Sequence, residues 1–140
     1  MIKAYNVMSK GVVSVLASTP IQEAANKMLE KKVSSLVVEK GGKNVGIVTD
    51  RDFVKIIAGK EAKKDVGSVM SSPLVKVSFD TELSDVLNTM AEHRIKHLIV
   101  EENGKPIGVI TLRDILSSAP EFILSYVMEK LTDFDMPSFR

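Results

Sequence analysis

The chain has 140 residues, a formal net charge of +1 and an apolar content of 44%, which suits one compact domain or two very small ones that share a core. It has no cysteine, so disulfides, thiol nucleophiles and thiolate metal sites are excluded, and two histidines are too few for a histidine-rich metal centre. No apolar run approaches the ~20 residues that cross a bilayer, and the N-terminus has no apolar signal segment. We therefore expect a cytoplasmic protein that is not bound to a membrane.

The first elements predicted along the chain are a short strand and an amphipathic helix. The strand is indicated by the apolar run at 12–15. Thr19, Pro20 and Gln22 then have the pattern of a capped helix start, with Thr19 as the cap and Pro20 in the first helical position. Apolar residues recur at helical spacing over 21–29, which predicts a helix that packs on a core.

A hairpin and a second helix follow. The continuous apolar run at 36–39 is typical of a strand covered on both faces. Gly41 and Gly42 predict a tight turn, after which 45–49 returns as the next strand. The second helix is expected to begin at Asp52.

The same order of elements occurs again 62 residues later. Positions 7–52 align with 69–114 without a gap, and 18 of the 46 aligned pairs are identical. A fixed offset of this length indicates two copies of one supersecondary unit. The second copy predicts strands at 74–77, 98–101 and 107–111, a helix start at Asp80 or Thr81, and another helix start at Asp114.

The duplication predicts how the chain is divided. Residues 60–65 form a charged linker, 121–131 carry an apolar stripe typical of a helix, and 132–140 are predicted to be a tail. The predicted division is repeat 1 (1–62), repeat 2 (63–119) and a C-terminal helix with its tail (120–140).

The junction between the last strand and the last helix of each repeat is the strongest chemical signal. It reads Gly-Ile-Val-Thr-Asp-Arg-Asp at 46–52 and Gly-Val-Ile-Thr-Leu-Arg-Asp at 108–114. Thr and Asp are common helix caps, which explains one copy alone equally well. However, a helix N-terminus also binds phosphate, a carboxylate can bind the hydroxyls of ribose, and arginine pairs with phosphate. The occurrence of Thr-x-Arg-Asp in both copies favours a pair of ligand sites.

These features together resemble a tandem pair of CBS domains, the modules named after cystathionine β-synthase. The resemblance extends over about 7–118 and includes Val-Met-Ser at 7–9 and 69–71, the first helix, the apolar second strand and the Thr-x-Arg-Asp junction. It implies an α/β (α+β) fold in which two βαββα repeats pack by pseudo-twofold symmetry into one Bateman module. It also implies adenine nucleotide ligands (AMP, ADP or ATP, with or without Mg²⁺) in clefts between the repeats, and a regulatory role.

The resemblance further implies which residues bind. In each cleft the Asp would hold the ribose hydroxyls, the Thr would bond the sugar–phosphate part, and apolar strand residues would clamp the base. The first predicted cleft consists of Ile47, Thr49, Arg51, Asp52, Leu74, Ile95, Lys96 and His97. The second consists of Val12, Val33, Ser34, Ser35, Val109, Thr111, Arg113 and Asp114.

The two predicted clefts differ in charge. Lys96 and His97 stand where the first copy has Ser34 and Ser35. With the clefts composed as above, the cations face Asp52, so we expect that cleft to bind anionic nucleotides more tightly.

The function that these patterns favour is a non-enzymatic adenine nucleotide sensor that forms a homodimer and regulates another protein. One alternative is a structural or oligomerising module without a ligand. A nucleic-acid binder is a second alternative, disfavoured because the few aromatic residues are not interleaved with a basic patch. No nucleophile and base are arranged for catalysis, so we expect no catalytic residues, no metal site and no cofactor.

Overall fold

The computed structural model describes residues 1–59 and 65–132. Most of the predicted linker (60–64) and of the predicted tail (133–140) lie outside the described residues. No helix in the described ranges is long and apolar enough to span a membrane. The elements are α1 (Ala4–Val7), β1 (Ser9–Lys10), β2 (Ser14–Leu16), α2 (Ile21–Lys31), β3 (Ser35–Lys40), β4 (Lys43–Thr49), α3 (Asp50–Gly59), a 3₁₀ turn (Val66–Ser68), β5 (Lys76–Ser78), α4 (Leu83–His93), β6 (His97–Glu102), β7 (Lys105–Thr111), α5 (Leu112–Ser118) and α6 (Pro120–Thr132).

The chain divides into two compact units that do not coincide with the sequence repeats. The central unit is Gly11–Lys76, and the terminal unit combines Met1–Lys10 with the chain from Val77 onward. The opening segment of repeat 1 therefore belongs to the unit that contains repeat 2. The repeat boundaries 1–62, 63–119 and 120–140 describe the duplication and stay a prediction.

The central unit is built on a three-stranded sheet in the order β2-β3-β4. β2 is parallel to β3, and β3 is antiparallel to β4. Gly41 and Gly42 join β3 to β4 with positive φ angles of 60° and 76°, the conformation that a two-residue hairpin of this twist requires. The core of this unit consists of Val15, Ala24, Met28, Leu36, Val38, Val48 and Val66.

The terminal unit repeats this arrangement with one more strand, in the order β1-β7-β6-β5. Its hairpin turn uses Asn103 and Gly104, again at positive φ, and β1 adds an antiparallel pair with β7, Ser9 opposite Val109. Residues 98–100 are fully buried, as the predicted two-sided strand requires. The fully buried side chains outside that strand include Ala4, Leu83, Val86, Ile110 and Ile115.

The repeated Val-Met-Ser segments fit against a glycine in the last strand of each unit. A Cβ atom on Gly108 would lie 2.6 Å from the Ser9 carbonyl oxygen and 2.7 Å from Met8 Sδ. Gly46 has the same distances to Ser71 and Met70. Only glycine permits so close an approach of two backbones, and this contact explains why glycine recurs three residues before each junction Thr.

The predicted starts of the first helix in each repeat are wrong. α2 begins at Ile21 with Pro20 as its N-cap and no side-chain cap, because the backbone of Thr19 is held in a turn by its N–H bond to the Leu16 carbonyl (2.9 Å). α4 begins at Leu83 with Glu82 as its N-cap.

The predicted first strand of each repeat begins two residues before the observed strand. β2 covers Ser14–Leu16 instead of 12–15, and β5 covers Lys76–Ser78 instead of 74–77. The ladder of β2 with β3 begins at Ser14, opposite Val37, so this neighbour decides where the strand begins.

The opening segment of each repeat belongs to the unit that contains the other repeat. This predicts how fragments of the chain behave. A fragment 1–62 lacks Val66, a fully buried core residue, and the Met70–Ser71 contact with Gly46. A fragment 11–76 of similar length keeps both, so we expect it to melt more cooperatively in circular dichroism. Equal melting of the two fragments would contradict this assignment of segments to units.

The glycine contacts predict a measurable loss of stability. Gly108→Ala should lower the free energy of unfolding in urea by about 1–3 kcal/mol, because the new methyl group overlaps the Ser9 carbonyl. Gly59→Ala is the matched control, because Gly59 is helical and a Cβ atom added to it would meet no neighbouring residue within 4 Å. The control should be neutral or stabilising by ~1 kcal/mol, and a destabilisation equal to that of Gly108→Ala would refute the steric explanation.

Candidate functional site

Each unit has a hydrogen-bonded Thr–Asp pair at its strand-to-helix junction, and in the terminal unit this pair forms a reciprocal capping box. In the terminal unit the Thr111 N–H donates to Asp114 Oδ2 (2.9 Å) and the Asp114 N–H donates to Thr111 Oγ1 (3.0 Å). In the central unit the Thr49 N–H donates to Asp52 Oδ2 (2.8 Å). The first residues of α3 and α5 are thus Asp50 and Leu112, two positions before the predicted Asp52 and Asp114, because the Asp stands at the third helical position and reaches back to the Thr.

The two junctions differ in the hydrogen bond that the threonine hydroxyl makes. Thr111 Oγ1 accepts from the Asp114 N–H, whereas Thr49 Oγ1 lies 3.4 Å from Asp52 Oδ2 and donates to it. In both units the bonds from the Thr to the carboxylate use Oδ2 and not Oδ1. Both carboxylates are half-buried. Each junction therefore has a fixed carboxylate with one oxygen that the helix start does not use.

The hairpin of the central unit places the predicted Ser34 and Ser35 beside the Thr49 junction. Ser35 lies opposite Thr49 across the β3–β4 pair, and the Asp50 N–H donates to the Ser34 carbonyl (3.1 Å). Ser35 is buried. Ser34 and Ser35 thus lie beside Thr49, and all three residues come from repeat 1.

The terminal unit has the same arrangement with basic residues. His97 lies opposite Thr111 across the β6–β7 pair, and the Leu112 N–H donates to the Lys96 carbonyl (3.0 Å). Lys96 is exposed and His97 is half-buried. Lys96 and His97 are therefore neighbours of Thr111 in their own unit.

The sequence analysis did not predict that these residues lie beside the Thr of their own unit, although the two-residue hairpin turns indicate it. A two-residue turn fixes the register of the hairpin, and with one bulge between Val38 and Glu39 it brings Ser35 opposite Thr49. The predicted pairing of Thr49 and Asp52 with 95–97 across the repeats stays a prediction.

The apolar residues predicted to clamp a base are all half-buried. Val33 and Ile95 each follow a residue in the left-handed conformation, Lys32 (φ 56°) and Arg94 (φ 54°), that ends the preceding helix. They lead directly into β3 and β6, and their half-buried side chains leave apolar surface at the start of each strand. The residues predicted to clamp the base are Val33, Ile47, Ile95 and Val109, and Val12 and Leu74, which were predicted to face the Thr–Asp pairs, are half-buried as well.

Charge at the two junctions comes from exposed side chains. Arg51 and Arg113 lie in the first turns of α3 and α5 and are exposed. The terminal junction also has Lys96 on the neighbouring segment, at the position where the central unit has Ser34. Within residues 1–59 and 65–132 no group of three or more His, Asp or Glu side chains is placed to hold a metal ion.

A separate cavity of about 430 Å³ lies in the central unit between α2 and β2. Lys27 Nζ donates to the Ser14 carbonyl at its edge (2.7 Å). Its lining includes none of the predicted site residues and consists of Ser14, Val15, Leu16, Thr19, Glu23, Asn26, Lys27, Glu30, Lys31 and Glu39.

The comparisons with known proteins identify the family. The CBS domain model matches residues 3–59 and 66–121. An uncharacterized 17.7 kDa protein in the bps2 3′ region of Acidianus ambivalens is 34% identical over 115 residues, which cover 81% of this chain and 70% of that protein.

Two solved structures have the same fold. A conserved protein from Pyrococcus horikoshii is 38% identical with a TM-score of 0.74, over 84% of this chain and 91% of that one. The structure of CBSX2 in complex with AMP is 26% identical with a TM-score of 0.71, over 88% of this chain and 99% of that one. The chain therefore belongs to the CBS domain family and carries two CBS repeats in tandem.

Proposed function

We propose that this CBS-pair protein binds adenine nucleotides and, without catalysing a reaction, transmits their presence to another protein. The observation that carries the proposal is the duplicated Thr–Asp junction, in which the Thr N–H fixes a half-buried carboxylate at a helix start in each unit. The AMP complex of CBSX2, a relative of the same fold, supports the choice of ligand.

Each junction offers the groups that an adenosine phosphate requires. Asp52 Oδ1 or Asp114 Oδ1 would accept hydrogen bonds from the two ribose hydroxyls, because Oδ2 is already bonded to the Thr N–H. Arg51 and Arg113 would pair with phosphate oxygens. The half-buried aliphatic side chains would cover the faces of the base, which are its least polar surface.

The terminal junction is the better candidate for the more anionic ligand. The Lys96–Leu112 backbone bond places Lys96 beside the Asp114 junction, and no lysine stands at the corresponding position, Ser34, beside Asp52. A charge-assisted hydrogen bond to phosphate contributes ~1.5–3 kcal/mol, which corresponds to about tenfold or more in affinity. This assignment of Lys96 rests on contacts within one unit, and the cross-repeat assignment to Asp52 is its alternative.

Calorimetry with AMP distinguishes the two assignments. We expect Asp114→Asn to weaken one binding phase at least about tenfold, and Lys96→Ala to weaken the same phase. Asn keeps an oxygen that can accept from the Thr111 N–H, so the helix cap is preserved while the charge is lost. The phase should also weaken as salt is added, because exposed charges are screened.

The controls separate binding from folding. Glu92→Gln removes a carboxylate from an exposed position of α4 in the same unit and should leave AMP affinity and melting temperature unchanged. If Lys96→Ala instead acts on the phase that Asp52→Asn removes, the cross-repeat pairing is correct. An absence of heat with millimolar AMP, ADP and ATP would reject nucleotide binding and favour a module without a ligand.

A role in assembly is the second candidate function. The helices carry apolar side chains that are exposed among the described residues 1–59 and 65–132, including Leu29, Val54 and Ile57. The predicted homodimer is part of this proposal, and sedimentation at micromolar concentration tests it against a 15.3 kDa monomer.

A further inference from the structure

The first turns of α3 and α5 differ in one acidic residue. Positions 50–52 read Asp-Arg-Asp, whereas the aligned positions 112–114 read Leu-Arg-Asp. Asp50 and Asp52 are the acidic residues in the first turn of α3, and Asp114 is the acidic residue in the first turn of α5. Each turn also has one arginine. The junction of the central unit, here called the central junction, therefore has one more negative charge than the terminal junction.

A hydrogen bond holds the carboxylate of Asp50 against the start of α3. Its Oδ1 accepts from the Arg51 N–H (2.9 Å), which is one of the first-turn N–H groups that have no partner within a helix. Such N–H groups are the ones that attract an anion to a helix start. Asp50 thus supplies an anion from the protein itself at this position, where Leu112 has an aliphatic side chain in the other unit.

The threonine hydroxyls provide a second difference of the same kind. Thr49 Oγ1 donates to Asp52 Oδ2 (3.4 Å), so its proton is directed to a carboxylate of the protein. Thr111 Oγ1 instead accepts from the Asp114 N–H (3.0 Å), and this bond does not use the proton of the hydroxyl, which can still donate. An ionised phosphate oxygen needs donors, and Thr111 can offer it one that Thr49 has already directed elsewhere.

The neighbouring segment has no charge at the central junction. Ser34 and Ser35 lie beside it, at the positions where the terminal junction has Lys96 and His97. Asp50 belongs to the same junction as Asp52, whichever repeat supplies the remaining contacts to a ligand. The additional carboxylate, the direction of the hydroxyl and the uncharged serines all make the central junction less favourable for an anion.

We propose that Asp50 selects against phosphate at the central junction, so that this junction binds an adenosyl ligand whose 5′ substituent is uncharged or cationic. The proposal rests on the proposed function, because Asp52 has to hold the ribose hydroxyls. The 5′ substituent of the same nucleoside would then stay close to the first turn of α3. A phosphate there would be repelled by the carboxylate of Asp50, since like charges in a contact weaken binding, whereas an amine would be attracted.

A series of ligands that share one nucleoside tests this selection. AMP, adenosine and 5′-amino-5′-deoxyadenosine differ chiefly in the charge of the 5′ substituent, and calorimetry gives their affinities. The chain carries Asp114→Asn, which weakens the terminal junction. We expect the amine to bind the central junction most tightly and AMP most weakly, with at least about a fivefold difference between them at low salt. The difference should shrink as salt screens the charges.

Asp50→Asn separates the charge of Asp50 from its hydrogen bond. Asn keeps an oxygen that can accept from the Arg51 N–H, so the helix start is preserved. Added to Asp114→Asn, this change should raise the affinity for AMP at least about fivefold and leave that for adenosine unchanged. Glu23→Gln is the matched control, because Glu23 is an exposed carboxylate in the first turn of α2 in the same unit. It should change none of the three affinities.

The reciprocal change places the charge at the terminal junction. In a chain with Asp52→Asn, Leu112→Asp should weaken AMP binding at least about fivefold relative to adenosine, and Leu112→Asn, which adds a polar group without charge, should not. Equal melting temperatures of these two variants confirm that they fold alike.

The possible results separate this proposal from the proposed function. If adenosine binds but Asp50→Asn leaves the ratio of AMP to adenosine affinity unchanged, selection by Asp50 is wrong while nucleotide binding stands. The same conclusion follows if AMP binds the central junction more tightly than adenosine and the amine. If none of the three ligands binds the unmodified chain, the proposed function is rejected, and the selection by Asp50 with it.

Discussion

The close contact between a Met-Ser backbone and a strand glycine is the constraint on which the arrangement of this chain depends. Ser9 and Met8 approach Gly108, and Ser71 and Met70 approach Gly46, at distances that a Cβ atom would not allow. In each case the segment that opens one repeat lies on the last strand of the other. The compact units therefore differ from the repeats, and each unit contains the opening segment of the other repeat.

The same two strands lead into the junctions. β4 and β7 carry the glycine in their middle and the Thr at their end, so the position of each Thr–Asp pair is tied to the backbone contact three residues earlier. The Thr N–H then holds the carboxylate through Oδ2 in both units. The oxygen that this hydrogen bond uses is therefore not the one that the proposed ligand would need.

The duplication also makes the differences between the units informative. At Lys96 and His97 the terminal unit has basic residues where the central unit has serines, which places extra positive charge near one junction. At Leu29 and Ile57 the central unit has large aliphatic side chains where the terminal unit has alanines. In the function proposed above, the first difference would affect the ligand, whereas the second changes the apolar surface that α2 and α3 expose.

The sequence by itself determined the family, the two hairpins and the Thr–Asp junctions, because these depend on local features. Gly41-Gly42 and Asn103-Gly104 adopt the positive φ angles that their residue types allow, and the apolar runs at 36–38 and 98–100 are buried as predicted. The tertiary structure alone decided where the first helices and strands begin, because Thr19 is fixed by backbone bonds to Leu16 and to the distant Val66. It also decided that Met1–Lys10 belongs with Val77 onward, since pairing between segments about 100 residues apart leaves no local pattern in the sequence.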